Sequence, residues 1–216
     1  MRSTGNDIVA LTAVDKQLTH HNRFYSKILS ETERALFDRQ SPAGMPFENF
    51  VWLLWSVKES VYKYLKRTEP GLVFSPTRII IQNIDIPPLG DGLYKGKALF
   101  GPHSLYFQST IHSEFIASVV GDDESFDNVA WGIRSIKHSD YHHQSTAVRT
   151  FALDHLHHLV SGIGHREDLR IEKNRQGCPI LYKGDEEIRI PLSLAHHGHF
   201  ISWSFYLNRE GRSVIS

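Results

Sequence analysis

The sequence has little of several features that define common protein classes. Its 216 residues include one cysteine, Cys178, which excludes an intramolecular disulfide and is typical of a reducing compartment. The 24 basic and 24 acidic residues cancel, without the basic excess of a general nucleic-acid binder. No apolar run approaches the roughly 18 residues of a membrane helix, and residues 1–15 contain no apolar stretch of signal-peptide length. We therefore expect a cytoplasmic protein that binds neither nucleic acid nor membrane.

The first part of the chain predicts helices followed by strands. Ser30 and Glu33 form a capping-box pattern, which predicts a helix that starts there and stops before Pro42. Residues 47–67 have the length and apolar period of a second, longer helix. Short apolar runs predict strands at 7–12, 77–84, 94–100, 104–111 and 115–121.

The second part repeats this order after a polar, acidic stretch at 121–128, the best candidate linker. We expect a helix over 145–164 with Ser145 as its cap, and strands at 129–136, 168–173, 179–184, 188–196 and 200–207. Residues 109–118 and 193–202 also share Ser, then His three positions on, then Phe-Ile and Ser, with one extra residue in the second turn. The chain is thus predicted to be α+β, with two pseudo-symmetric subdomains at 1–121 and 122–216. Each would pack a helix on a small antiparallel sheet, so that a monomer would suffice.

The helix at 47–67 carries two distinct stripes. One stripe is apolar and should face the core; it contains Phe50, Leu53, Leu54, Val57, Val61, Tyr64 and Leu65. The opposite stripe is aromatic and charged; it contains Trp52, Trp55, Ser56, Glu59, Tyr62, Lys63 and Lys66. A solvent-facing stripe seldom holds two tryptophans, so this second face should contact something.

Glu59 on that stripe allows two interpretations. It lies four residues before Lys63, the spacing of an ordinary helical ion pair worth about 0.2–0.5 kcal/mol. It can also be a metal ligand, if a second acid is nearby. Asp7 is the candidate, because it opens an apolar strand just after Gly5, where the backbone can approach closely. Two carboxylates can hold Mg²⁺ when phosphates and water complete its octahedron.

Taken together, three segments resemble the 4′-phosphopantetheinyl transferase superfamily. They are "GNDIV" near the start, "KILSETERALF", and "WSVKESVYK" about fifty residues after the first. The resemblance covers the first 120 residues. The second half is similar to the family more loosely, through "AVRTFALDHL", "RQGCPIL" and "LSLAHHGHFISWSF". The order of motifs is that of the holo-acyl-carrier-protein synthase type, at the length of a pseudo-dimer.

The sequence departs from the family pattern at three positions. Val9 stands where some members have a second acid, which leaves Asp7 as the only acid of its strand. Cys178 stands where a lysine is usual, and Ala195 where a serine precedes the histidine. The resemblance places the last two in the coenzyme A pocket, so they bear on nucleotide affinity.

The resemblance implies transfer of 4′-phosphopantetheine from coenzyme A to a serine of an apo acyl or peptidyl carrier protein, as in fatty acid biosynthesis. Adenosine 3′,5′-bisphosphate would be released. On this view Asp7 and Glu59 bind Mg²⁺, and Glu59 also takes the serine proton. Lys63 would contact the pyrophosphate. The other coenzyme A contacts would be Lys58, from the helix flank, and Arg149 and His196, from the second half.

The carrier protein is expected near residues 12–30, where a basic and apolar surface would consist of Lys16, Arg23, Phe24, Lys27 and Ile28. Two other functions remain open. One is a non-catalytic module of the same fold that binds coenzyme A or carrier protein. The other is a metal-dependent hydrolase that uses some of the 14 histidines, with Asp154, His155 and His158 on one helix. Zinc sites usually offer a tighter ligand set.

Overall fold

The computed structural model describes residues 2–40, 45–87 and 92–207, and it confirms an α+β fold. The helices are α1 (Lys16–Thr19), α2 (Asn22–Tyr25), α3 (Glu31–Gln40), α4 (Phe47–Lys66) and α5 (Tyr141–Leu159). The strands before residue 122 are β1 (Gly5–Ala10), β2 (Ile80–Asp85), β3 (Leu93–Phe100), β4 (His103–Ile111) and β5 (Phe115–Gly121). The later strands are β6 (Val129–Ser135), β7 (Leu169–Lys173), β8 (Pro179–Lys183), β9 (Glu186–Ile188), β10 (Leu192–His197) and β11 (Phe200–Tyr206). Among the described helices, none combines the length and apolarity needed to cross a membrane.

The first five strands form one antiparallel sheet in the order β1-β5-β4-β3-β2, and α4 packs across it. The predicted apolar stripe of α4 is confirmed, because all seven of its residues are buried in the main core cluster. The opposite stripe also contacts the protein. Trp52 donates its indole N–H to Thr19 in α1, and Trp55 packs edge-on against Phe74.

The predicted capping box at the start of α3 is present. Glu33 Oε2 accepts the backbone N–H of Ser30 at 2.8 Å, and Ser30 Oγ accepts that of Glu33 at 3.3 Å. The two contacts satisfy N–H groups that have no partner inside the helix. The helix runs from Glu31 to Gln40, as expected; Pro42, its predicted stop, lies outside the described residues.

The second half contains two three-stranded antiparallel sheets, in the orders β10-β11-β6 and β7-β8-β9. Helix α5 packs on β10, β11 and β7. Its predicted start was wrong. The helix begins one turn earlier, because Asp140 rather than Ser145 is the cap, and the Asp140 carboxylate accepts the N–H of His143. It ends at Leu159 instead of reaching Gly162.

The predicted linker connects the two groups of elements. Residues 122–128 join β5 to β6 without a helix or strand, although Phe126 within them is buried. The two segments with similar spacing each form an antiparallel hairpin, β4–β5 and β10–β11. The pseudo-symmetry of the halves, and a boundary between 121 and 122, remain proposals.

Strand β1 joins the halves through a row of small polar side chains. Alternate residues of a strand point their N–H groups to opposite sides. On one side β1 pairs with β5. On the other side, Ser193 Oγ accepts the N–H of Asn6 at 3.1 Å and His197 Nδ1 accepts that of Ala10 at 3.1 Å. The side-chain amide of Asn6 (Nδ2) also donates to Ser202 Oγ at 2.8 Å. Side chains of the second half therefore cover the free edge of β1.

Gly5 is required where α4 crosses β1. A Cβ atom at Gly5 would lie 2.0 Å from the carbonyl oxygen of Ser60 and 2.7 Å from the backbone N of Tyr64. We expect Gly5→Ala to lower the free energy of unfolding by about 1–3 kcal/mol, because two backbones must move apart. Urea unfolding measures it. Gly71→Ala is the matched control, since nothing lies within 4 Å of its added methyl; equal stability of both variants would contradict the close approach.

Candidate active site

The first acid of the candidate site is Asp7, which β1 presents toward α4. Its carboxylate is largely buried, and Oδ1 accepts a hydrogen bond from Lys63 Nζ at 2.9 Å. The same ammonium group donates to the backbone carbonyl of Asn6 at 3.0 Å. Strand and helix therefore place a carboxylate and a cation in direct contact, although they are 56 residues apart in sequence.

The second acid is Glu59, one helical turn before Lys63. Burial raises the pKa of its carboxyl to about 7; the charge of Lys63 opposes this rise, and the charge of Asp7 adds to it. The two carboxyl groups are thus close enough to interact. Within the described residues, the ion pair of Lys63 is with Asp7 and not with Glu59. The simple helical ion pair is therefore not what the structure shows.

A cavity of about 240 Å³ opens beside this cluster, between the two halves. Among the described residues that line it are five Lys and Arg residues and no Asp or Glu; the five are Lys63, Lys66, Arg67, Arg149 and Lys173. The rest of the wall is uncharged and consists of Tyr62, Gln176, Gly177, Cys178, Pro179, Leu192, Ser193 and Leu194. A pocket of this charge selects an anion, and several phosphates would suit it best.

Arg149 and His196 reach this region from the second half. Arg149 lines the cavity, and its guanidinium donates to the carbonyl of Ser145 at 2.6 Å and also to its hydroxyl. Burial lowers the pKa of the His196 imidazole, and the charges of Lys63, Lys173, Arg149 and His197 lower it further. Arg149 thus lines the cavity together with Lys63 of the first half, and the charges of both act on His196.

Lys58 is placed differently from the sequence expectation. Its side chain is fully buried, and Nζ donates to Glu33 Oε2 at 2.7 Å and to the carbonyl of Ile28 at 2.6 Å. Burial lowers the pKa of this ammonium group. The residue points into the protein between α3 and α4, so the structure gives it no route to a phosphate. Its observed role is structural.

The three departures from the family pattern fall in different places. Cys178 is buried and lines the cavity, whereas Ala195 is not among the described residues that line it. Ala195 faces β1, where it packs in a small apolar cluster with Ile8 and Ala10. Val9 is buried on β1 and adds no carboxylate to the site.

The surface expected to meet a carrier protein is basic, with one correction. Lys16, Arg23 and Lys27 are exposed, whereas Ile28 is a core residue and is only 2% exposed. Phe24 is half-buried against Trp52. Leu18 supplies the exposed apolar side chain of this region instead.

The histidines of α5 do not form a metal site in this structure. Asp154 is paired with Arg166 at 2.6 Å, and His155 packs on Trp203 with its Nδ1 near the carbonyl of Phe151. In the part of the chain that the structure describes, no three His, Cys, Asp or Glu side chains are grouped to hold a metal ion.

Three residues that line the cavity were not among the predicted site residues. Lys66 continues the charged stripe of α4 at the next turn, and this spacing was the available signal. Arg67 ends that helix and donates to the carbonyls of Pro179 and Leu192, which fixes α4 to the second half. Lys173 ends β7, just before the turn that carries Cys178. Nothing in the local sequence distinguishes the last two from surface cations.

Fold and site together define an α+β protein with two carboxylates and a lysine beside a pocket lined by Lys and Arg residues. The sequence model of the 4′-phosphopantetheinyl transferase superfamily matches residues 3–120. The chain therefore belongs to this superfamily, whose members are transferases of phosphopantetheine. No curated protein matched the sequence.

Proposed function

We propose that this protein transfers 4′-phosphopantetheine from coenzyme A to a serine of an apo acyl or peptidyl carrier protein. The observation that carries the proposal is that Lys63, which pairs with Asp7 at 2.9 Å and lies one helical turn from Glu59, lines a cavity whose wall includes five Lys and Arg residues. That arrangement suits a substrate with a pyrophosphate and a further phosphate. The motif order favours the holo-acyl-carrier-protein synthase type, acting as a monomer in the cytoplasm.

Asp7 and Glu59 fit a divalent cation. In the absence of a cation, the Glu59 carboxylate is disfavoured as an anion by burial and by Asp7, which is why its pKa rises to about 7. A bound cation would reverse both effects. Two carboxylates are the usual protein share of a Mg²⁺ site that phosphates complete. When bound, Mg²⁺ would neutralise charge on the pyrophosphate.

The side chains of the chain itself supply the remaining steps. The serine oxygen of the carrier attacks the phosphorus next to the pantetheine, and the bond from that phosphorus to the bridging oxygen breaks. Glu59 takes the serine proton, and adenosine 3′,5′-bisphosphate leaves with the electron pair. Lys63 stabilises the pyrophosphate charge, and Arg149 with His196 holds the nucleotide. The exposed basic residues Lys16, Arg23 and Lys27 would attract an acidic carrier.

The test is intact-mass measurement of an apo carrier protein incubated with the enzyme, coenzyme A and Mg²⁺. The expected result is a gain of one phosphopantetheine, lost when EDTA replaces the metal. If several carrier types gain no mass while coenzyme A still binds, the protein is a non-catalytic binding module. Cys178, in the cavity wall, is the departure that would then require explanation.

Nucleotide binding is expected to take up a proton at His196. Burial and surrounding cations lower the pKa of the free imidazole, and a bound phosphate would raise it again. Affinity should therefore rise severalfold at most as the pH falls from 8 to 6, because a rise of one pKa unit gives its full factor of about ten only below both pKa values. Calorimetry with adenosine 3′,5′-bisphosphate and EDTA measures it.

Two variants make this pH test specific. His196→Asn should bind with little pH dependence. His199→Asn is the matched control, because His199 is exposed on the same hairpin, with its ring near the carbonyl of Ile136. A pH dependence that survives intact in His196→Asn would contradict the assignment.

A further inference from the structure

Ser193 occupies a position that belongs to two sites at once. It lies on β10, is 4% exposed, and forms part of the wall of the cationic cavity. Its hydroxyl oxygen also accepts the backbone N–H of Asn6, in the other half of the chain, at 3.1 Å. Ser193 thus lies between the pocket and β1.

The residue that Ser193 holds in turn orients the reactive cluster. The carbonyl of Asn6 accepts a hydrogen bond from Lys63 at 3.0 Å, and the carboxylate of Asp7 accepts another from the same ammonium at 2.9 Å. A shift of β1 at Asn6 would therefore move the carbonyl and the carboxylate together. The contact of Ser193 with Asn6 fixes this part of the strand from the side of the pocket.

The hydroxyl has a second capacity. A serine side chain offers one proton and two acceptor lone pairs, and the contact with Asn6 uses it only as an acceptor. Its own proton can therefore be donated to a ligand in the cavity. Five cations around that cavity make the ligand an anion, so the acceptor would be a phosphate oxygen.

We infer that Ser193 is a positioning residue that donates its hydroxyl proton to a phosphate oxygen in the cavity while holding Asn6 through its oxygen. When the nucleotide binds in the pocket, Ser193 holds Asn6 in place, and with it the strand that carries Asp7. Binding to residues of the second half thereby positions Asp7 and Lys63 in the first half. The inference rests on the proposed function, because the phosphate is that of coenzyme A.

Ser202 provides a matched control. It is also fully buried and also contacts Asn6, since its hydroxyl accepts the Asn6 amide at 2.8 Å. In the described part of the chain, Ser202 is not among the residues that line the cavity. Ser193→Ala and Ser202→Ala each remove one hydrogen bond to Asn6. Only Ser193→Ala also removes a hydrogen-bond donor from the wall of the pocket.

The experiment compares Ser193→Ala, Ser202→Ala and Ser193→Thr by three measurements. Calorimetry with EDTA gives the Kd of adenosine 3′,5′-bisphosphate, carrier assays give kcat and KM for coenzyme A, and urea gives stability. We expect Ser193→Ala to raise Kd and KM on the order of tenfold, the effect of one lost hydrogen bond to a charged group, and to lower kcat severalfold. Ser202→Ala should be less stable but should keep the wild-type Kd and KM. Ser193→Thr, which retains a hydroxyl, should bind with the wild-type Kd.

The outcomes separate this inference from the proposed function. If the wild-type chain binds neither coenzyme A nor the bisphosphate, the proposed function fails. If the wild-type chain binds both and Ser193→Ala binds equally well, the inference on Ser193 is overturned and the transferase stands. Equal losses of affinity in Ser193→Ala and Ser202→Ala would also overturn it, because strand placement alone would then explain the effect. If Ser193→Ala fails to fold, Ser193→Thr decides, since it must bind like the wild type.

Discussion

Glu59→Gln is expected to lower the rate of phosphopantetheine transfer by about 10³ or more, because one substitution removes the proposed general base and metal ligand. Glutamine has nearly the same shape, so the core around α4 should be retained. Removing a half-buried carboxylate also removes its repulsion with Asp7, and stability should stay equal or rise. Loss of activity without loss of stability is the distinguishing result.

The rate is measured by intact mass of the carrier over time, and stability by urea unfolding. Glu69→Gln is the control: it removes a carboxylate just beyond the end of α4, where Glu69 pairs with His103 at 2.8 Å. It should transfer at the wild-type rate. A transfer rate of Glu59→Gln within about tenfold of the wild-type rate would show that Glu59 is neither the base nor an essential metal ligand. Asp7 would then be the only remaining candidate ligand.

Lys58→Met is expected to lower the free energy of unfolding by about 3–5 kcal/mol, the usual effect of removing one partner of a buried ion pair. Glu33 would keep its charge in a site with no exposure, with only backbone donors left to it. Those donors are the N–H groups of Ser30 and Ile81, both at 2.8 Å. Urea unfolding at neutral pH gives the difference.

A second variant tests the explanation for Lys58. In Lys58→Met with Glu33→Gln, the uncompensated charge is gone, so the double variant should be more stable than Lys58→Met alone. Lys27→Met, at an exposed lysine, is the control for loss of a positive charge and should change stability little. A loss below about 1 kcal/mol in Lys58→Met would mean that the pair contributes no more than a surface one.

Local patterns predicted the elements better than they predicted contacts between them. The apolar period of α4 is a property of one segment, and its buried face was correct residue by residue. Lys58 was expected to contact coenzyme A from the flank of the helix, because the resemblance to the family implied it. Its true partner, Glu33, comes from another helix 25 residues away, and nothing within α4 indicates that contact.

The candidate site shows the same division. Asp7, Glu59 and Lys63 follow from motif spacing, and the structure brings them together. Arg67 and Ser193 do not, because their roles arise where the two halves meet. The start of α5 was misplaced for a smaller reason: both Asp140 and Ser145 are good caps, and only the path of the chain selects the first.

The contacts on the outer side of β1 have a consequence for assembly. The superfamily model matches segment 3–120, which contains nearly all of the five-stranded sheet. The edge strand β1 belongs to this segment, but the N–H groups of its residues Asn6 and Ala10 donate to side chains of the second half. Without that half, the edge and the apolar surface of Ile8 would be uncovered, and such edges recruit strands from other molecules. Residues of the second half, among them Ser193 and His197, therefore cover an edge of β1 that a second molecule could otherwise pair with.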